Sequence, residues 1–237
     1  MCDCRVSGLE IDPFNRIENY EKLFKYFIGT KWPKHPMKIF DDWFQEAQKF
    51  KHQKPNCMCL ATAGKNKIPS SRIVALKGYG EGGFLFFTDY ASQKARELDE
   101  NPCCALTFFW EASKRQVRIE GCAVRISTED NDKYFEEQPC TKKLLAMMGP
   151  QSGVVKDKLA LCDWLSDLQE KYLKPGAVIQ RPSCWGGYIV RPDSVEFNEI
   201  LNSIIHDRIR FTKNSSSNVL DCYHQGEDGW CYQFLKP

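Results

Sequence analysis

The chain has 237 residues, of which 42% are hydrophobic and 27% charged, a composition typical of a folded domain and not of a disordered tail. Its 33 lysines and arginines against 31 aspartates and glutamates leave a net charge of +2, which argues against nucleic acid as the main partner. The longest apolar stretch, Cys103–Trp110, is far shorter than the roughly 20 residues of a membrane span, and the N-terminus lacks the apolar segment of a secretory signal. We therefore expect a cytoplasmic protein with neither nucleic-acid nor membrane partners.

Hydrophobic periodicity predicts an N-terminal arm over residues 1–36, which show no clear repeat, and one domain over 37–237. Apolar residues at three- and four-residue spacing predict a helix that begins at Met37. Alternating runs then predict strands over 57–63, 70–78, 84–90, 103–110 and 116–126. The short links between them are typical of antiparallel hairpins.

Helices and strands are mixed in the rest of the pattern. A short helix follows Ser92, a suitable N-cap, and helical spacing returns over 129–137 and 156–173. Strands are predicted over 185–190, around 206–211 and over 230–234. These elements indicate an α+β domain built on an antiparallel barrel with flanking helices.

Twelve cysteines are present, without any C-x-x-C pair and with only four histidines as further ligands. This arrangement disfavours a structural zinc site, and we expect no metal and reduced thiols. The triplet His206-Asp207-Arg208 fits either a general-base dyad or an ordinary polar strand edge. The common signatures of serine hydrolases, P-loop nucleotide triphosphatases and zinc proteases do not occur.

Cations flank one β-branched strand, with Arg72 near its start and Lys77 at its end. One interpretation is that both charges reach outward to water. The other is that they bind an anionic ligand, because guanidinium and ammonium groups suit phosphate. Lys94, close to a predicted helix start, adds a donor of the same kind, and the polar pair Gln116 and Arg118 lies where a core strand would be apolar.

Taken in order along the chain, several motifs resemble the pyridoxamine 5′-phosphate oxidase family from about Asp41 to the C-terminus. The matching segments are Asn56-Cys57-Met58-Cys59-Leu60-Ala61-Thr62, Ser71-Arg72, Leu76-Lys77-Gly78, Gly83-Phe84, Phe86-Phe87-Thr88, Lys94, Glu97-Leu98, Asn101-Pro102, Arg115-Gln116-Val117-Arg118-Ile119-Glu120-Gly121, Gln151-Ser152, Ser183-Cys184-Trp185-Gly186-Gly187-Tyr188 and His206-Asp207-Arg208. The resemblance implies an FMN-binding split barrel and a homodimer with FMN at the subunit interface. It also implies oxidation of pyridoxine or pyridoxamine 5′-phosphate to pyridoxal 5′-phosphate, with O₂ as acceptor and H₂O₂ as product.

The same resemblance implies roles for individual residues. Those expected to bind FMN are Arg72, Ile73, Val74, Ala75, Leu76, Lys77, Phe87, Thr88, Lys94, Gln116, Gln151, Ser152 and Arg208. Those expected to contact the substrate are Lys77, Tyr134, Lys142 and His206. Among them Lys77, Tyr134 and His206 are the expected catalytic residues, with Lys77 and His206 orienting the substrate for hydride transfer to the flavin.

Several positions depart from the family pattern. Asn198 stands in place of a flavin-side Trp and Ile204 in place of a substrate-side Arg, while Gln138 and Lys142 replace an Arg and a Ser for the substrate phosphate. Gln93 and Phe234 replace two further arginines. Two alternatives to the oxidase therefore stay open: a paralogue that binds FMN or a B6 compound with little turnover, and a flavin enzyme with a changed substrate.

Overall fold

The computed structural model describes residues 32–50, 54–149, 151, 153–155, 157–172, 174, 177–201, 205–213 and 224–236. Contacts divide the chain into a unit over 1–33 and a unit over 34–237, and every element given below belongs to the second. The expected N-terminal arm lies almost wholly outside the described residues, so its boundary with the domain stays a prediction.

The secondary structure of the second unit is mixed, as the periodicity predicts. Its helices are α1 (Pro36–Gln48), α2 (Gln93–Glu100), α3 (Thr128–Glu136), α4 (Cys140–Met147) and α5 (Lys158–Tyr172). Its strands are β1 (Cys57–Ala63), β2 (Pro69–Ala75), β3 (Gly78–Gly80), β4 (Gly83–Asp89), β5 (Cys103–Trp110), β6 (Arg115–Arg125), β7 (Trp185–Leu201), β8 (Ile205–Lys213), β9 (His224–Gln225) and β10 (Trp230–Leu235).

All strand pairs described are antiparallel and belong to one sheet. The hydrogen-bonded order is β2-β1-β5-β6-β7-β8-β10-β9, and β4 pairs with β3 and with the first half of β7. Because β7 pairs with β4 and β6 at one end and with β6 and β8 at the other, the sheet curls without closing. This α+β architecture is a split barrel, which confirms the expected fold class.

The core lies on the inward faces of these strands, under α1. Phe40 of α1 is fully buried and its ring lies 4.9 Å from that of Phe84 and 5.2 Å from that of Phe108. The helix begins with His35 as N-cap, whose Nδ1 accepts a hydrogen bond from the Met37 amide, and with Pro36 at its first position. The apolar stripe of this helix thus anchors it across the barrel opening.

The structure corrects two predicted strands and adds a helix that the periodicity does not predict. The strand expected over 70–78 breaks after Ala75, because the Leu76 amide donates to Asn56 of the β1 side while the next amide, of Lys77, donates to Leu85 of β4. Helix α4 was missed, since Pro139 at its N-cap makes no side-chain cap bond. Strand β7 runs past Pro192, because the register of β6 against β7 shifts between Glu120 and Gly121 and accommodates the proline there.

No helix in the described ranges is long and apolar enough to span a membrane.

Candidate cofactor and substrate site

A group of polar side chains, here called the cationic cradle, lies where β2 and β4 meet the start of α2. It consists of Arg72, Thr88, Lys94 and Gln151. The Lys94 Nζ donates to the Gln151 Oε1 at 2.9 Å and lies 3.2 Å from the Thr88 Oγ1. The Thr88 hydroxyl donates to the same Gln151 oxygen at 3.2 Å. Residues far apart in the chain therefore converge on one buried ammonium group.

The guanidinium of Arg72 is held in place by a carboxylate. Its Nη2 lies 3.3 Å from Glu97 Oε2 and donates to Ser70 Oγ at 2.9 Å, and its Nη1 donates to Thr62 Oγ1 at 2.5 Å. Burial alone would raise the pKa of Glu97, but hydrogen bonds from Thr62, Ser70 and Gln93 and the charge of Arg72 lower it to about 2. Glu97 is therefore ionised, and it orients Arg72.

Lys94 is only 9% exposed, so its ammonium group has lost most of its hydration. Burial, and next the positive charge of Arg72, lower the pKa of Lys94, although Asp89 and Glu97 oppose the shift. A buried cation next to a second cation is stabilised by an anion with several acceptor oxygens. The donor set of the cradle therefore fits a phosphate group.

A cavity of about 580 Å³ adjoins the cradle, a volume in the range of small-molecule sites. Thr88 and Gln151 of the cradle line it, together with Phe87, Lys142 and Trp185. The rings of Phe87 and Trp185 are stacked with centroids 4.7 Å apart, which makes an apolar wall. The cavity thus combines an aromatic wall with one cation, Lys142, and one carboxylate, Asp89, in its lining and has the cradle beside it.

Two lysines meet beside this cavity. Partial burial, and then the charge of Lys142 and a hydrogen bond with it, lower the pKa of Lys77. Tyr134 is close as well, with its ring 5.0 Å from that of Phe87. Neighbouring ammonium groups repel each other, so an anion bound between Lys77 and Lys142 would relieve the repulsion. The structure therefore brings together three of the four residues expected to contact the substrate.

A second group, here called the outer-face cluster, lies on the outward side of β6, β7 and β8. It contains Gln116, Asn198, His206 and Arg208; Gln116 is directly opposite Asn198, which is opposite Arg208. The His206 Nδ1 lies 3.1 Å from the Asn198 Oδ1. Apart from Ser152, this cluster holds the remaining polar residues that are expected to bind FMN and substrate.

The two groups do not meet along the sheet. Strands β1, β5, β6 and β7 separate β2, which carries Arg72, from β8, which carries His206 and Arg208. Thr88 of β4 lies opposite Gly186 at the start of β7, whereas β8 pairs with the other end of β7, residues 194–201. Of the remaining expected residues, Ile73 is 66% exposed on the outward face of β2, whereas the side chain of Leu76 is buried. Ser152 and Ile204 lie outside the described residues. The expected FMN and substrate roles thus fall on two separate surfaces of one chain.

Sequence reasoning missed two carboxylates that organise these groups. Glu97 orients Arg72, as shown above. Glu196 is 4% exposed and accepts hydrogen bonds from Arg118, Arg208 and Arg210 on the outer face of the sheet. The signal for Glu196 was the acid at the middle of the apolar alternation Val195-Glu196-Phe197, which places it on the face opposite the core.

The carboxyl group of Asp207 is buried, so its ionised form destabilises the fold. Burial, and next the charge of Glu199 directly opposite, raise the pKa of Asp207 to about 6, and its Oδ2 has no hydrogen-bond partner in the described part of the chain. The folded state holds this proton more tightly than the unfolded chain, whose pKa is 3.8. Below about pH 4 the Asp207 carboxyl therefore does not lower the free energy of unfolding. It lowers this free energy as the pH rises through about 6.

We expect Asp207→Asn to stabilise the protein at pH 7.5 by about 1–3 kcal/mol, since one pKa unit corresponds to about 1.4 kcal/mol. The gain over the unmodified chain should fall towards zero at pH 4. Urea unfolding at both pH values measures it, with Asp193→Asn, an exposed residue of β7, as control. A gain that is equal at both pH values would contradict the assignment of the cost to the Asp207 charge.

Known proteins match this chain over most of its length. The family described as "Pyridoxamine 5'-phosphate oxidase" matches residues 44–170, and "Pyridoxine 5'-phosphate oxidase C-terminal dimerisation region" matches residues 185–237. A Bombyx mori protein named "Pyridoxine/pyridoxamine 5'-phosphate oxidase" is 41% identical over 235 residues, 98% of this chain and 89% of the relative. A Bos taurus protein named "Pyridoxine-5'-phosphate oxidase" is 37% identical over 206 residues, covering 85% of this chain and 78% of the relative.

Among solved structures, that of PhzG from Burkholderia lata 383 in complex with tetrahydrophenazine-1-carboxylic acid aligns with a TM-score of 0.76 and 25% identity. The alignment covers 86% of this chain and 94% of PhzG. The matches to the family at both ends of the domain, and the identity to its members over most of the chain, lead to one conclusion: the chain belongs to the pyridoxamine 5′-phosphate oxidase family.

Proposed function

We propose that this chain is an FMN-dependent oxidase that converts pyridoxine or pyridoxamine 5′-phosphate to pyridoxal 5′-phosphate, with O₂ as acceptor and H₂O₂ as product. The observation that favours it most is the buried Lys94 ammonium beside Arg72, in a cradle that fits phosphate and adjoins a ligand-sized cavity through Thr88 and Gln151. Relatives at about 40% identity bear the name of this oxidase. The abundance of free cysteines in the described ranges agrees with the cytoplasm as its compartment.

FMN, when bound, supplies the two-electron acceptor and returns the electrons to O₂. The task of the chain is to bind and orient both reactants. Arg72, Lys94 and Thr88 bind the FMN phosphate through charge-assisted and hydroxyl hydrogen bonds. Glu97 fixes the orientation of the Arg72 guanidinium group. Less conformational entropy of this side chain is therefore lost when the phosphate binds.

The substrate phosphate is assigned to Lys77 and Lys142. Gln138 stands in place of an arginine of the family, and its amide is uncharged. It donates a hydrogen bond to the backbone carbonyl of Tyr134 at 3.1 Å. Two lysines act as point charges, which attract phosphate with less directional selectivity than a guanidinium. Tyr134 packs against Phe87 at the cavity wall, and His206, held by Asn198, orients the substrate from the outer-face cluster.

We infer that a second copy of the chain completes the site. The outward faces of β2 and β5 expose two large apolar side chains, Ile73 at 66% and Phe109 at 56%. Such an apolar surface next to polar groups is typical of an interface between subunits. A homodimer that covers the patch around Ile73 and Phe109 would bring the outer-face cluster of one subunit to the cationic cradle of the other. The match of residues 185–237 to a dimerisation region supports this arrangement.

One observation favours an alternative within the same site. Because Gln138 offers no charge and Ile204 stands in place of a substrate-side Arg, a flavin enzyme with a less anionic substrate would also suit this chain. The same positions would suit a paralogue that binds FMN or a B6 compound with little turnover. Substrate preference and turnover number separate the three.

The test is turnover by the FMN-loaded protein. We expect pyridoxine and pyridoxamine 5′-phosphates to give pyridoxal 5′-phosphate and H₂O₂ in equal amounts, and unphosphorylated pyridoxine to give far less. Turnover of the unphosphorylated compound alone would favour the changed-substrate alternative. Absence of H₂O₂ with every compound would contradict the oxidase proposal and leave the binding paralogue.

We expect Lys142→Ala to raise the KM for pyridoxine 5′-phosphate about ten- to hundredfold, since a charge-assisted bond to phosphate contributes about 1.5–3 kcal/mol. The kcat should change far less, because Lys142 is assigned to phosphate binding. Lys133→Ala, an exposed lysine of α3, serves as the matched control. An unchanged KM in the Lys142 variant would show that this lysine does not bind the phosphate.

A further inference from the structure

Two cysteines face each other across neighbouring strands, at the opposite end of β5 from Phe109, and belong to neither group of site residues. Cys103 begins β5 and lies directly opposite Cys122 of β6. Their Sγ atoms are 4.0 Å apart. Cys103 is exposed and Cys122 is half-buried, so small solutes can reach the pair from solvent.

The hydrogen-bond register of the two strands decides whether the thiols can be joined. The Ala123 amide donates to the Pro102 carbonyl at 2.8 Å, which makes residues 102 and 123 a hydrogen-bonded pair. In an antiparallel ladder the next pair, Cys103 and Cys122, is then non-hydrogen-bonded, with Cα atoms about 4.5 Å apart. That separation lies within the range of about 4.4–6.8 Å found in disulfides. A bond between the two sulfurs therefore needs side-chain rotation but no movement of the strands.

We propose that Cys103 and Cys122 form a peroxide-sensitive dithiol that closes to a cross-strand disulfide. The oxidant is H₂O₂, and the inference rests on the proposed function only in naming the chain's own turnover as a source of it. The Cys103 thiolate attacks one peroxide oxygen and breaks the O–O bond, giving a sulfenic acid and hydroxide. The Cys122 sulfur then displaces the sulfenic oxygen, which leaves as water. Overall, two thiols and one H₂O₂ give one disulfide and two waters.

The environments of the two cysteines indicate which one reacts with peroxide and which one resolves the sulfenic acid. Burial, and next the hydrogen bond and charge of Cys103, raise the pKa of Cys122. Burial also raises the pKa of the adjacent Cys104 to about 12. The thiols of Cys122 and Cys104 are thus held protonated. The exposed Cys103 therefore reacts with peroxide first. Cys122 lies within reach to resolve the sulfenic acid before it is oxidised further.

The experiment uses the full-length, FMN-loaded protein, reduced and then exposed to added H₂O₂. Remaining thiols are alkylated, and tryptic peptides are analysed without reduction; trypsin separates the two cysteines because Lys114, Arg115 and Arg118 lie between them. We expect a Cys103–Cys122 linked peptide pair that is lighter than the two free peptides by about 2 Da, the two thiol hydrogens, and that dithiothreitol separates. Recovery of both cysteines as alkylated thiols would overturn the proposal.

Variants make the test specific. In Cys122→Ser, a sulfenic acid trapped by dimedone should accumulate on Cys103, whereas Cys103→Ser should give neither the adduct nor the link. Cys140→Ser, which removes an exposed cysteine at the start of α4, should leave the link unchanged. Equal oxidation of Cys103 and Cys140 without a linked peptide would show ordinary surface oxidation and overturn the pairing.

A second experiment, in which turnover supplies the peroxide, tests the dithiol and the oxidase activity separately. Substrate and O₂ replace the added peroxide, and catalase is included in a parallel sample. We expect the disulfide to form during turnover. Its yield should be lower with catalase, which removes the H₂O₂. A link that forms with added peroxide but not during turnover would contradict the peroxide-producing oxidase and leave the dithiol assignment intact. A link that forms with neither source would overturn the dithiol assignment alone, provided that H₂O₂ is detected.

Discussion

Replacement of Glu196 by alanine is expected to lower the free energy of unfolding by about 3 kcal/mol, the lower end of the range for removing one partner of a buried ion pair. Glu196 Oε1 accepts from Arg208 at 2.6 and 3.1 Å, and Oε2 accepts from Arg118 at 2.9 Å and from Arg210 at 2.8 and 3.1 Å. Without the carboxylate, three guanidinium groups repel one another on one patch of the sheet. The arginines are partly exposed, and water therefore moderates the loss.

Thermal unfolding should show this loss as a fall in Tm of roughly 6–12 °C. Glu120→Ala is the matched control, since Glu120 is exposed and its one ion pair within the described ranges is with Arg118, at 3.6 Å. Although burial alone would raise the pKa of Glu196, the bonds from Arg208 and Arg210 lower it below 4.5. Its contribution is therefore present above about pH 4.5 and is lost as the pH falls. A Tm change no larger than that of Glu120→Ala would contradict this assignment.

Removal of both cations of the cradle should abolish tight FMN binding. We expect Arg72→Ala and Lys94→Met each to weaken FMN about ten- to hundredfold, since each charge-assisted contact to phosphate contributes about 1.5–3 kcal/mol. The fold-loss of FMN affinity in the double variant should be smaller than the product of the two single-variant losses, because both cations contact one phosphate. Flavin fluorescence quenching on the apo-protein measures each affinity.

Riboflavin, which lacks the phosphate, makes this test specific. Its affinity should change less than threefold in the same variants, because neither cation is assigned to the ring. Arg96→Met, an exposed cation on the same helix as Lys94, should leave both affinities unchanged. Equal losses for FMN and riboflavin would mean that the variants distort the cavity and would contradict the phosphate assignment.

Much of the fold could be predicted because alternation marks each half-buried strand. Cys57–Ala63 and Cys103–Trp110 were predicted with the bounds that the structure shows. The break at Leu76 and Lys77 could not be predicted, since it depends on one strand changing partner from β1 to β4. Nor could the continuation of β7 past Pro192, which needs the bulge in the opposite strand. Both features are set by contacts between distant segments, which local propensity does not contain.

The site was predictable in its residue types but not in its organisation. The cations Arg72 and Lys94 stood out locally, whereas their supports did not. Gln151 reaches Lys94 from 57 residues further along the chain, and Glu97 reads as an ordinary helix-surface acid. Resemblance to the family supplied Gln151, and only the structure showed the role of Glu97. The division into two surfaces also required the strand order, which no local pattern reveals.

We propose that the cationic cradle and the outer-face cluster are two halves of one oxidase site on different subunits. Mixed dimers of Lys94→Met and His206→Ala test it most directly, with the two chains tagged so that subunit exchange is verified. If each half comes from a different subunit, every mixed dimer has one intact site, and an equal mixture should recover about a quarter of the unmodified H₂O₂-forming activity. Complete exchange with activity no higher than that of the separate variants would contradict the claim.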